Sequence, residues 1–176
     1  MRELFTEKLK IMKFKSLISV IITASTVAMG CGPYSFSGSS IPSHIKSVAI
    51  PIFENETAEF GIKEKVTDAL LENFVSENIL NISDNQNADS IIRGTITKIT
   101  DVPFTFDENE IVQEYRITIY LNLVWHDQVK DNDLFDGKIN GWGVYPADSP
   151  EERNEGIEKA IERLITEITN QTLSGW

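Results

Sequence analysis

One cysteine, two histidines and no long apolar run beyond the first thirty residues limit what this 176-residue chain can be. A single thiol, Cys31, excludes an internal disulfide. His44 and His126 are far apart and belong to no ligand-spaced cluster, so no metal site is expected. No nucleophile elbow, Gly-rich phosphate loop or zinc motif occurs either. The run Asp127, Asp131, Asp133 and Asp136 comes nearest to a calcium loop, yet its spacing departs from the EF-hand and it reads as a solvated turn. Basic residues are scarce: 16 Lys and Arg against 27 Asp and Glu give a formal net charge of −11. No basic cluster is present to meet nucleic-acid phosphates. No segment after Cys31 is long and apolar enough to span a bilayer as a helix. These absences point away from enzymes, cofactors and nucleic acid and toward a protein that works by docking.

What is present begins at Cys31. Lys13 and Lys15 precede an apolar stretch from Leu17 to Ala28, and Ala28-Met29-Gly30 sets a small residue directly before the thiol. That is the layout of a bacterial lipoprotein signal. The apolar stretch is short for a stable membrane helix. A thiol in this place takes a thioether-linked diacylglycerol, and each buried methylene of an acyl chain contributes about 0.8 kcal/mol, so a multiply acylated terminus is a lasting anchor. An incidental cysteine after an uncleaved segment is the alternative. Residues 1–30 are thus expected to be the signal, with Met12 opening a complete signal by itself as an alternative start. Residues 31–44, rich in Gly, Ser and Pro, form a lipidated tether, and 45–176 form one domain.

Periodicity gives the domain its elements. Val48, Ile50 and Ile52 alternate as a strand in which Pro51 needs an outward or terminal place, and an acidic loop at Glu54-Asn55-Glu56-Thr57 follows. Ile62, Val66, Ala69, Leu70 and Phe74 recur at helical spacing. After a polar connection from Ser83 to Asn87, β-branched residues from Ile91 to Ile99 predict a bulged strand. The clearest alternation, Tyr115, Ile117, Ile119, Leu121, Leu123 and Trp125, predicts a long central strand. Phe135 to Val144 predicts a weaker one interrupted by Gly137, Gly141 and Gly143. Ser149-Pro150-Glu151-Glu152 has the form of a capping box, and Ile157, Ala160, Ile161, Leu164 and Ile168 continue as a helix to about Thr172. The expected fold is α+β: a two-layer sandwich in which two helices cover one face of a four-stranded sheet, in the order β-α-β-β-β-α.

At this point the residues resemble a family. CGPYSFSGSSIP (Cys31 to Pro42), HIKSVAIPIFENET (His44 to Thr57), ADSIIRGTITKI (Ala88 to Ile99) and the ending at Trp176 are similar to segments of the lipopolysaccharide-assembly lipoprotein (LptE) family. The resemblance implies a fold of two helices against a four-stranded sheet. It also implies a place at the outer membrane, lipid-anchored on the periplasmic side. The implied partners are an LptD-like β-barrel translocon, which the protein would plug and help assemble, and lipopolysaccharide itself.

The family's lipid-contacting basic residues occupy no motif that can be matched here. Arg93, Lys98, Arg116 and Lys138, the basic residues placed on strands, are therefore the candidates for lipopolysaccharide. A solvated sheet face is the favoured explanation for them, and the net charge opposes binding of phosphates. Phe104 and Phe106, in a polar connection from Val102 to Phe106, are candidate barrel contacts, since aromatics are enriched at interfaces. Folding back over the sheet is the alternative. An auxiliary lipoprotein of an intermembrane lipid transporter, or of another envelope complex, competes with the plug.

Overall fold

A computed structural model describes residues 41–173; Cys31, the signal, most of the tether and Trp176 lie outside that range. The elements are β1 (Ser47–Ala49), β2 (Glu54–Asn55), α1 (Ile62–Ser76), β3 (Asn81–Ile82), β4 (Ser90–Phe106), β5 (Val112–Asp127), β6 (Asn132–Pro146) and α2 (Arg153–Leu173). No helix among the described residues is long and apolar enough to cross a membrane.

β5 is an interior strand, and its alternation supplies one fully apolar face. Ile117, Ile119, Leu121, Leu123 and Trp125 are all buried. It pairs antiparallel with β4 on one side and β6 on the other, and the sheet runs β3-β1-β4-β5-β6 with β2 also on β4. The α+β class and the two helices agree with the sequence reading, but the sheet has six strands rather than four. The additional strands, β2 and β3, are two residues each, too short to leave a periodic signal, and they fall in or beside segments that read as polar connections.

The first strand also departs from its expected pattern. β1 stops at Ala49, and the chain rejoins the same edge of β4 at Glu54. Val48–Ala49 pair with Ser90–Ile91, whereas Glu54–Asn55 pair with Thr95–Ile96, so the first strand carries one residue more than its partner between the two contacts. That extra residue reverses the parity around Pro51. Ile52 is consequently 56% exposed, and Phe53, at 2%, takes the buried position.

Both helices contribute to one core. Val66, Leu70 and Phe74 of α1 and Ile157, Ala160, Leu164 and Ile168 of α2 join Val48, Ile92, Ile96, Ile139 and the buried row of β5. Strand glycines explain how closely α2 approaches β6: a Cβ on Gly143 would stand 2.0 Å from the Gly156 carbonyl oxygen, and one on Gly141 would stand 2.2 Å from that of Ala160. These positions are vacant of side chain because the α2 backbone fills the space. The start of α2 differs from the capping box. Ser149 makes no side-chain cap, its carbonyl accepts the Glu152 amide, and Pro150–Glu152 form a 3₁₀ turn before the helix begins at Arg153.

Candidate functional site: the open face of the sheet

Since one row of β5 points to the helices, the other row, Arg116, Thr118, Tyr120, Asn122 and Val124, lies on the opposite side of the sheet. The register then assigns its neighbours. Val124 stands between Arg93 and Asp136, Asn122 between Thr95 and Lys138, Tyr120 between Lys98 and Asn140, Thr118 between Thr100 and Trp142, and Arg116 between Val102 and Val144. All four basic candidates therefore share this face. At about 3.4 Å per residue they spread over about 27 Å along β5.

Lys98 reaches the face only through an irregularity. Strict alternation from Arg93 would point Lys98 toward the helices, but the register shifts between Ile96 and Lys98. Thr97 is the extra residue, and the bulge returns Lys98 to the Arg93 side.

The cations are set against aromatic rings. The Arg116 guanidinium lies 4.8 Å from the Phe104 ring centroid and 5.8 Å from that of Trp142, and the two rings are 6.1 Å apart. Arg163, from α2, stacks 3.5 Å over Trp142 and donates from its guanidinium to the Trp142 carbonyl at 3.1 Å. Lys98 sits 5.9 Å from the Tyr120 ring. A guanidinium held over a ring keeps in-plane N–H donors for an anionic oxygen, while the ring offers apolar surface beside them. Glu54, Glu114 and Asp136 share the face by register, and Glu114 accepts from the Thr105 hydroxyl. The face is thus mixed in charge despite the acidity of the whole chain.

Val102 to Phe106 is not a loop, as expected from sequence, but the end of β4. Pro103 disguised it; the residue is accommodated beside a register shift. Phe104 packs onto the open face against Arg116, as the fold-back alternative required, while Phe106 remains 56% exposed. Sequence reasoning missed Trp142 and Arg163. Trp142 alternates in step with Lys138 along β6, so parity alone could have placed it; Arg163 had no signal.

At the opposite end of the long strands the chain enters the domain through a knot of polar contacts. His44 Nε2 lies 2.6 Å from Oδ2 of Asp127, which is 0% exposed, and the Val129 and Lys130 amides donate to its Oδ1. Asp89 accepts the Lys46 and Ser47 amides and the Ser47 hydroxyl. His126, read as a structural or solvated residue, contacts Asp133 at 2.7 Å and Asp131 at 3.4 Å.

Burial opposes charge on Asp127, but the Lys130 amide, His44 and the Val129 amide together outweigh it and hold the carboxyl below its usual range. A depressed folded-state pKa means this stabilisation is present above the ordinary carboxylate value and is lost as pH falls through the lower folded value. Asp127→Asn should therefore melt several degrees lower at neutral pH, with the gap from wild type closing as pH falls below the ordinary carboxylate value in a calorimetric pH series. A gap constant with pH would contradict this account.

Comparison with known proteins follows this geometry. A family model described as "LptE: Lipopolysaccharide-assembly" matches residues 45–174. Among curated proteins no sequence matches. One solved structure supports the fold, and others are similar in part. The hypothetical protein CT253 from Chlamydia trachomatis is similar at 9% identity and TM-score 0.53, over 72% of this chain and 95% of that one. The rare lipoprotein B from Shewanella oneidensis is similar at 15% identity and TM-score 0.46, over 72% and 96%. Lipoprotein GNA1162 from Neisseria meningitidis is similar at 11% identity and TM-score 0.44, over 72% and 96%.

Proposed function

Because the chain belongs to the LptE lipopolysaccharide-assembly family, we propose that it is an outer-membrane lipoprotein, anchored through Cys31 on the periplasmic side, that plugs and helps assemble the β-barrel lipopolysaccharide translocon. The family match over residues 45–174 carries this reading. The lipoprotein signal before Cys31 supports the anchor, and the Gly-, Ser- and Pro-rich composition of residues 31–44 suits a link between lipid and domain. The protein acts by docking: the barrel is its protein partner and lipopolysaccharide the lipid that passes it.

Within this role the open face is the surface offered to lipopolysaccharide. Arg93, Lys98, Arg116 and Lys138 provide cations on one side of the sheet, and Phe104, Tyr120 and Trp142 provide apolar area among them. Phosphate and acyl chemistry need both in one place. The quadruple variant R93Q/K98Q/R116Q/K138Q should lower lipopolysaccharide binding by the purified lipidated protein by about tenfold or more, given ~1.5–3 kcal/mol for hydrogen bonds to charged groups. Unchanged binding by a folded quadruple variant would remove this surface from the account.

A further inference from the structure

Among the described residues the sheet ends in one long unpaired edge. β6 is the last strand in the order and runs for 15 residues, whereas the other end is the two-residue β3. The ladder fixes which of its backbone groups are free. The Ala147 amide donates to the Gln113 carbonyl, and antiparallel alternation from that pair makes Tyr115–Tyr145, Ile117–Gly143, Ile119–Gly141 and Leu121–Ile139 the hydrogen-bonded pairs. The main chains of Lys138, Asn140, Trp142 and Val144 then point away from β5. Pro146, which lacks an N–H, falls in the same outward set, as an edge proline must.

Exposed edges of this length are ordinarily blunted by proline, charge, bulges or a covering element. Between Lys138 and Val144 the ladder to β5 is regular and contains no proline. Among the described residues one side chain bonds to it from outside the sheet: Arg163 reaches around from α2 and donates to the outward Trp142 carbonyl. Beside it a groove of about 380 Å³ follows the edge, lined by Asn140, Trp142, Arg163, Thr166, Glu167 and Gln171.

We propose that the β6 edge from Lys138 to Val144 receives an extended strand of a partner protein, bearing acidic side chains on the open face, with Arg163 as the cover that gives way. Charge selects this occupant. Lys138 and Arg163 flank the free amides, and carboxylates on the incoming strand would pair with them. A second copy is less suited in the register centred on Asn140, since two-fold antiparallel pairing there sets Lys138 opposite Trp142 of the other copy, beside Arg163, and brings cation to cation. Main-chain hydrogen bonds give such an added strand its affinity, and alternate side chains give it specificity. The inference rests on the proposed docking role only for the partner's identity.

Proline provides the test, because at an outward position it removes a free donor and leaves the β5 ladder whole. With the full lipidated protein recovered from detergent-solubilised outer membrane, Asn140→Pro should keep its circular dichroism and lose partner recovery by about tenfold or more. Asn140→Ala should retain it. Should Asn140→Pro unfold, Val144→Pro against Val144→Ala makes the same comparison at another outward position. Equal recovery by the folded proline and alanine variants would overturn the proposal while leaving the docking role intact. A wild-type protein that recovers only itself, in dimers that Asn140→Pro dissolves, would overturn it in favour of self-pairing. If the recovered partner is not a barrel, the proposed function fails, and the proline comparison on that partner still decides the edge.

Discussion

Gly143→Val is expected to cost the domain about 3 kcal/mol, at the upper end of what overpacking costs, and more if α2 cannot shift. The alanine methyl alone would stand 2.0 Å from the Gly156 carbonyl oxygen, a backbone atom that cannot swing aside as a side-chain tip can. Relief requires α2 to lift from β6, which opens the core contacts that Ala160 and Leu164 make. For a domain stable by about 5–15 kcal/mol, that is a large fraction of the total. Gly61→Ala provides the contrast. Its φ is 74° with nothing within 4 Å of the added Cβ, so only the left-handed backbone is penalised, by about 1–2 kcal/mol. Urea melts of both variants check the ranking; a Gly143→Val midpoint within error of wild type would disprove the close contact.

The largest functional effect is expected from reversing apolar character at the β4–β5 hairpin. The double variant F104E/F106E should abolish recovery of the barrel partner with the tagged lipoprotein. Phe106 is 56% and Phe104 39% exposed, alongside Val102 at 41% and Ile111 at 59%, so this end of the hairpin presents apolar surface. Among the described residues the ribbon here has no third strand: β6 pairs as far as Glu114, with one further bond from the Ala147 amide to the Gln113 carbonyl, whereas β4 and β5 continue to Phe106 and Val112. Two strands alone are marginal in water, and packing against a partner supplies the missing support. Because neither phenylalanine belongs to the buried core, the variant should melt within a few degrees of wild type. Undiminished recovery would rule the contact out.

The parts of the fold written in long periodic runs were legible in the sequence. β5 followed from strict alternation, α1 and α2 from their apolar stripes, and the α+β class from their order. The two-residue strands β2 and β3 were missed for their shortness, whereas the first strand departs through a local change of register, the same device that places Lys98. The extra residue between Ala49 and Glu54 moved Ile52 outward and Phe53 inward, and Thr97 returned Lys98 to the face of Arg93. Single-residue insertions follow from partner strands, which a pattern within one segment does not contain. The candidate site was legible as a set of residue types but not as a surface. Arg93, Arg116 and Lys138 meet only once the strands are placed side by side, and Arg163 joins Trp142 from an element 21 residues away. Ser149 shows the converse: its capping-box sequence is intact, yet a 3₁₀ turn takes the place of the side-chain cap.

The central claim is that this family member docks as a lipid-anchored module in a barrel of the outer membrane. Affinity purification of the tagged, lipidated protein from detergent-solubilised outer membranes, followed by mass spectrometry of both components, tests it most directly. The account predicts a large β-barrel protein in equimolar amount, with acyl chains on Cys31 at the new amino terminus. Recovery of an inner-membrane transporter instead, or an unmodified thiol with the leader still attached, would contradict it.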